Sequence, residues 1–344
     1  MSWLRKALVH LALSRSDAAL IRASGGEPRT VRGMTLDPRF QFLEAQARGR
    51  LVDWATITPA QLRAQADAGA ELFGGPRVGG VRVERSYITG RSHSVPTRLY
   101  LPTVRDNAAP MLVYYHFGGG VIGSLESCHR LCGLIARASG APVMSVDYRL
   151  APEHKFPAGL DDCIAAYSWA VDNAARFGAP VGKAAVGGDS MGGNFSAIVA
   201  QEFRKTKPPA LQLLIYPAVD FVSDTPSMHD FADAWPLTAE TVAYFAKQYL
   251  PDGVEPSDPR VSPGRAQDLR GLAPALVYTA GFDMLLDQGA AYAARLEEAG
   301  VKTSYHCFET LPHGFVAFPS AARAAEAAIR RIAAETAAAL KGVR

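Results

Sequence analysis

Apolar positions along this chain change their period once, and that change divides it. Near the N-terminus Leu4, Leu8 and Leu11 recur at the three-to-four spacing of an amphipathic helix. Leu36-Asp37-Pro38 predicts a further helix start, with Asp as N-cap and Pro in the first turn. Up to about Gly80 the pattern is one of helices and turns, and Gly74-Gly75-Pro76 with Gly79-Gly80 reads as a flexible joint. From Val81-Arg82-Val83 onward, alternating and continuous apolar runs predict strands over 97–101, 111–115, 142–147, 184–186, 211–216, 275–279 and 303–308. Helical spacing falls between them, over about 125–139, 158–177, 193–205 and 288–299, and an Ala-rich helix over about 321–340 closes the chain.

Strands this apolar, alternating with helices, predict an α/β fold with a mostly parallel central sheet covered on both faces. The alternation breaks between Asp220 and Leu272. Six prolines and the aromatics Phe221, Phe231, Trp235, Tyr244 and Phe245 stand there, too long a stretch for a simple crossover. An insertion over the working edge of the sheet is expected.

Composition narrows the partners. The 344 residues are 48% hydrophobic, enough for a large core, and the net charge of +3 comes without any Lys/Arg run. No nucleic-acid partner is expected. Arg5 and Lys6 precede Ala7-Leu8-Val9, but His10 and Arg15 interrupt the run, so a secretory signal is not the expected reading. No stretch reaches the ~20 apolar residues of a membrane span. The four cysteines, Cys128, Cys132, Cys163 and Cys307, lack zinc-ligand spacing and fall among apolar neighbours, which predicts packing rather than a Cys128-His129-Cys132 metal site. A cytoplasmic protein needing neither metal nor cofactor is expected.

The chemistry-bearing residues stand in an informative order. The predicted strand 184–186 runs into Gly187-Gly188-Asp189-Ser190-Met191-Gly192-Gly193 and then into a helix. A nucleophile on so sharp a turn needs small residues two before and two after it, and Gly188 and Gly192 supply them. Strand 111–115 ends at His116 and leads into Phe117-Gly118-Gly119-Gly120, whose side-chain-free peptides suit an oxyanion-binding loop. Asp283 follows the strand at 275–281, and His313 lies in Leu311-Pro312-His313-Gly314-Phe315 after the last strand. Asp287, expected to cap the next helix, and Asp220, before the insertion, are the alternative acids. Serine first, acid second and histidine last is the order of an α/β hydrolase. A rival exists. Gly118-Gly119-Gly120-Val121-Ile122-Gly123 also fits G-x-G-x-x-G after a strand, with Asp147 ending the next one, as a dinucleotide-binding oxidoreductase would have it.

The residues from about 95 to 318 resemble the bacterial hormone-sensitive lipase family of α/β-hydrolase carboxylesterases. The resemblance rests on Tyr114-Tyr115-His116-Phe117-Gly118-Gly119-Gly120, on Asp147-Tyr148-Arg149-Leu150-Ala151-Pro152-Glu153-His154-Lys155-Phe156-Pro157-Ala158, on the Gly-Asp-Ser-Met-Gly-Gly elbow, and on the Asp283 and His313 segments. It implies that Gly118, Gly119 and Met191 donate the oxyanion N–H groups and that Glu153 braces their loop. It also implies a helical cap made of 1–80 and 221–271, leaving 81–220 and 272–344 as two parts of one catalytic domain. Phe117 and Met191 are bulkier than the family's usual residues there, and the proline that commonly follows the acid is absent after Asp283.

The expectation is a cofactor-free serine carboxylesterase for short- to medium-chain or aryl esters, with Ser190 as nucleophile, His313 as base and Asp283 orienting it. Phe117, Trp235 and Phe315 are the candidate pocket residues. Amide or lactone hydrolysis on the same triad, and a small-molecule receptor on the same fold, are the alternatives. Strand 303–308, at a sheet edge, is a candidate homodimer contact.

Overall fold

The computed structural model describes residues 3–48, 52–89 and 93–342, and side chains from Lys6 onward. Its central sheet has eight strands: β1 (Val81–Thr89), β2 (Ser94–Pro102), β3 (Met111–Tyr115), β4 (Val143–Val146), β5 (Ala184–Asp189), β6 (Gln212–Ile215), β7 (Ala275–Phe282) and β8 (Thr303–Pro312). Their order across the sheet is β1-β2-β4-β3-β5-β6-β7-β8. β1 and β2 form an antiparallel hairpin, β2 runs antiparallel to β4, and every later pairing is parallel. This is the α/β-hydrolase arrangement.

Period-two side-chain alternation distributes the core. In β3, Leu112 and Tyr114 enter one apolar cluster while Met111, Val113 and Tyr115 enter another on the opposite face. Helices α5 (His129–Ser139) and α11 (Arg323–Gly342) supply the first cluster, and α6 (Ala158–Asn173) and α7 (Met191–Phe203) the second. Helix α10 (Leu286–Glu298) covers the β7 end. Cys128 and Cys132 lie in the first cluster and Cys163 in the second, so these thiols pack as apolar groups.

The first eighty residues form α1 (Trp3–Leu13), α2 (Asp17–Ala23), α3 (Pro38–Arg48) and α4 (Pro59–Phe73), plus a two-strand hairpin at Thr30–Val31 and Met34–Thr35. The α1 face differs from expectation. Leu8 and Leu11 turn outward, 58% and 67% exposed, whereas Val9 and Leu13 pack on Phe73; the Leu4 side chain lies outside the described ones. Helix α5 begins at His129 rather than 125, because Ser124 ties residues 124–127 into a turn through the Glu126 and Ser127 amides.

Between β6 and β7 the chain forms α8 (Pro226–Asp230) and α9 (Ala239–Tyr249). Charge and aromatic contacts join this stretch to the first eighty residues. Asp233 accepts from Arg29 at 2.6 Å and from Arg48 at 2.5 Å, while Arg29 and Arg48 share the buried Glu44. The Trp54 indole donates to Glu240 at 3.0 Å and Tyr244 donates to the Ile57 carbonyl at 3.1 Å. Together the two stretches cover the carboxyl edge of the sheet. Among the described residues no helix is long and apolar enough to cross a membrane.

Candidate active site

Ser190 stands at the junction of β5 and α7 with φ 55° and ψ −117°, a conformation that costs a non-glycine residue strain. The surrounding packing enforces it. A Cβ on Gly188 would lie 2.4 Å from Gly192 backbone, and one on Gly192 would lie 1.9 Å from the Tyr115 carbonyl oxygen. Strand and helix therefore approach as closely as hydrogen permits. The Ser190 amide donates to Ile215 at 2.9 Å, and its carbonyl accepts from Asn194 and Ala218. The hydroxyl is left facing the sheet's carboxyl edge, and Met191 opens α7 with its amide free to meet an anion.

Asp283 follows β7 directly, and its Oδ1 is fixed by the Leu285 amide at 2.8 Å. Its Oδ2 accepts from His313 Nδ1 at 2.7 Å, which leaves His313 Nε2 facing Ser190 Oγ at 2.9 Å. All three side chains are buried. The two alternative acids face elsewhere. Asp287 pairs with Arg32 at 2.9 Å and accepts from the Ser227 amide at 2.8 Å, so it caps α8 rather than its own helix. Asp220 binds Arg265 at 2.8 Å.

The glycine run after β3 turns through positive φ at Gly118 (125°), Gly119 (62°) and Gly120 (73°). Among the described residues nothing accepts from the Gly118, Gly119 or Met191 amides, and all three residues line the same cavity as Ser190 and His313. The dinucleotide reading fails here. The glycine run opens no helix, since α5 starts only at His129, and a Cβ on Gly119 or Gly120 would lie 2.5 Å from the Phe245 or Tyr249 ring. Side chains of α9 fill the space that a pyrophosphate would need.

The Asp147–Ala158 segment supports this loop from behind. Tyr148 stacks on His116 at 4.3 Å and donates to the His116 carbonyl at 2.8 Å, and Ala151 donates to Gly120. Burial lowers the His116 pKa, and its Nδ1–H donates to the Phe117 carbonyl at 2.7 Å. Among the described residues, it is Arg63 of α4 that ties the Glu153 side chain to the loop. That guanidinium grips Glu153 at 2.6 and 3.0 Å and donates to the Val121 and Ala151 carbonyls at 2.8 and 2.7 Å. No local pattern around Arg63 marks it, because its partners lie about sixty and ninety residues away in sequence.

Asp189 was legible only as part of the elbow. Fully buried, it accepts from Tyr114 at 3.0 Å and Tyr216 at 3.1 Å, and burial pushes its carboxyl up to about 6. The Tyr216 ring lies 4.7 Å from the His313 imidazole, so Tyr216 links the buried carboxylate to that imidazole.

The cavity above Ser190 has a volume of about 1460 Å³. Phe117 and Trp235 line it. Phe315 does not: the 3-10 turn Phe315–Ala317 directs that ring inward, 5.1 Å from Tyr216, and leaves Gly314, Ala317 and Phe318 as the wall.

Known proteins are similar to this chain in sequence and fold. The family model described as α/β hydrolase fold matches residues 112–317. A carboxylic ester hydrolase of Mycobacterium tuberculosis, LipN, is 41% identical over 85% of this chain and 80% of its own. An ethyl acetate hydrolase of Pseudomonas putida is 35% identical over 82% of this chain and 92% of its own. Among solved structures, an α/β hydrolase from the metagenome of Lake Arreo superposes with a TM-score of 0.83 at 37% identity, covering 89% of this chain and 99% of its own. The chain belongs to the α/β hydrolases, in the hormone-sensitive-lipase-like group of carboxylic ester hydrolases.

Proposed function

We propose that this protein hydrolyses short- to medium-chain or aryl carboxylic esters through an acyl-serine intermediate. The observation that carries the reading is the buried relay Asp283–His313–Ser190, at 2.7 and 2.9 Å, opening on a largely apolar cavity. In the first half-reaction His313 Nε2 takes the Ser190 proton as Oγ bonds to the ester carbonyl carbon. Charge moves onto the carbonyl oxygen, where the Gly118, Gly119 and Met191 amides receive it. Asp283 keeps the proton on Nδ1 and stabilises the imidazolium. The C–O bond then breaks, and His313 returns its proton to the departing alcohol. In the second half, water gives a proton to His313 and its oxygen to the acyl carbon, and the acid leaves as Ser190 is reprotonated.

Ser190→Ala tests this. Turnover of 4-nitrophenyl butyrate is expected to fall by about a million-fold, and labelling by a fluorophosphonate to vanish. Unchanged turnover in that variant removes the assignment.

Residues 1–80 and 221–271 act in this reading as a cap over a catalytic domain formed by 81–220 and 272–344, supported by the Asp233, Trp54 and Tyr244 contacts that join the two cap stretches. We also propose a homodimer through β8, an edge strand with Tyr305 40% exposed, to be checked by light scattering. Four unpaired thiols support a reducing, cytoplasmic setting.

A further inference from the structure

We propose, resting on the esterase reading above, that the site is built for esters whose alcohol limb is long and apolar, and that Gly69 is the residue that keeps room for it. The argument starts from α4. Its N-terminal half touches the oxyanion loop, through Arg63 on the Val121 carbonyl and Asp67 on Ser124 Oγ at 2.8 Å. Its C-terminal end meets the histidine loop: it packs against the 3-10 turn that follows His313, and the Phe73 carbonyl accepts from the Ser320 amide and hydroxyl. The helix thus crosses above the triad from the oxyanion side to the histidine side.

Leu62, Ala66, Gly69 and Phe73 fall on one face of α4 at three-to-four spacing, and all four line the cavity. Glycine is the least favourable residue in a helix interior apart from proline. No turn or positive φ calls for one at 69, and a Cβ there would find no atom within 4 Å. Open space lies beside this position, so a large side chain there, though not a methyl, would enter the cavity.

The direction of that space identifies the limb. In ester cleavage the departing oxygen must take its proton from His313 Nε2, so the alcohol lies on the histidine side and the acyl group away from it. On that side the cavity continues along Phe318, Trp235, Phe73, Leu43 and Val9, an apolar wall held by the Trp235–Phe318 and Phe73–Phe318 ring contacts at 5.3 and 5.5 Å. The cavity's 1460 Å³ exceeds the roughly 300–1,000 Å³ of ordinary small-molecule sites, far more than a short ester fills.

The experiment measures kcat/KM by pH-stat for ethyl, hexyl and decyl acetate, and for ethyl decanoate. Each methylene that the wall covers adds favourable transfer energy, so decyl acetate is expected to exceed ethyl acetate by at least about tenfold and to exceed ethyl decanoate. Gly69→Phe is expected to lower the decyl-to-ethyl acetate ratio at least about tenfold, while Gly69→Ala lowers it far less. Ala66→Phe serves as a second plug should the first variant misfold, as judged by its circular dichroism melt. A flat alcohol series, a series that favours ethyl decanoate, or a ratio unmoved by either plug overturns the proposal and leaves the esterase reading standing. Cleavage of none of these esters, nor of 4-nitrophenyl butyrate, removes the esterase reading itself.

Discussion

Arg63 holds Glu153 in a two-pronged ion pair at 2.6 and 3.0 Å, and the same guanidinium spans the Val121 and Ala151 carbonyls. One side chain of α4 thereby fixes two backbone segments beside the glycine loop. Its loss is expected to loosen the proposed oxyanion donors. Arg63→Met should lower kcat on a short-chain ester about tenfold with a smaller change in KM, because the donors act most strongly on the transition state. Arg63→Lys restores charge but not the fork, and should recover only part of the loss. Steady-state kinetics of the two variants check this.

The acid assignment separates two carboxylates four residues apart. Asp283→Asn is expected to cut kcat by about ten-thousand-fold, since the imidazole then adopts the wrong tautomer. Asp287→Ala removes the α8 cap and the Arg32 pair, so its effect should appear in the melting temperature and leave kcat within about threefold. Kinetics and thermal melts of both variants distinguish the roles.

At the elbow, Gly192→Ala is expected to be ruinous. Its Cβ would overlap the Tyr115 carbonyl oxygen, and the neighbours are backbone atoms that cannot swing aside. A loss of several kcal/mol, of the order of other overpacked cores or more, should show as insoluble or unfolded protein. Expression and circular dichroism give the answer.

Asp189 predicts a pH signature. Its folded carboxyl is raised to about 6 by burial, above the unfolded value near 3.9. The folded state therefore holds the proton more tightly than the unfolded state. The stability it contributes is full below pH ~4, is lost as pH rises through about 6, and amounts to roughly 3 kcal/mol. Asp189→Asn cannot titrate, so the melting temperature of the variant relative to the parent should climb between pH 4 and 7. A difference that stays constant over that range overturns the assignment.

Much of the molecule is legible in its sequence. Strands such as Met111–Tyr115 and Ala184–Val186 betray themselves because a strand buried on both faces must be apolar throughout. The serine elbow is legible for a related reason: only glycine fits at 188 and 192, so the backbone collision leaves a local mark. His313 and Asp283 gain meaning from their place after strand ends. Expectations failed where a side chain's direction depends on a turn's exact geometry. Phe315 is of this kind; Leu8 and Asp287 lie in helices, and what they face is set by elements far off in sequence, Asp287 capping a helix sixty residues away.

The amino-acid order alone determined the alternation of elements, the nucleophile's turn and the sequence of serine, acid and base. These depend on residues within a few positions of one another, or on topology that periodicity encodes. Tertiary structure decided which carboxylate meets the imidazole, that Arg63 serves the glycine loop, and that α9 rings stand where a dinucleotide would lie. Such pairings join segments about thirty to one hundred and thirty residues apart, and contact at that range arises from packing, which no local pattern records.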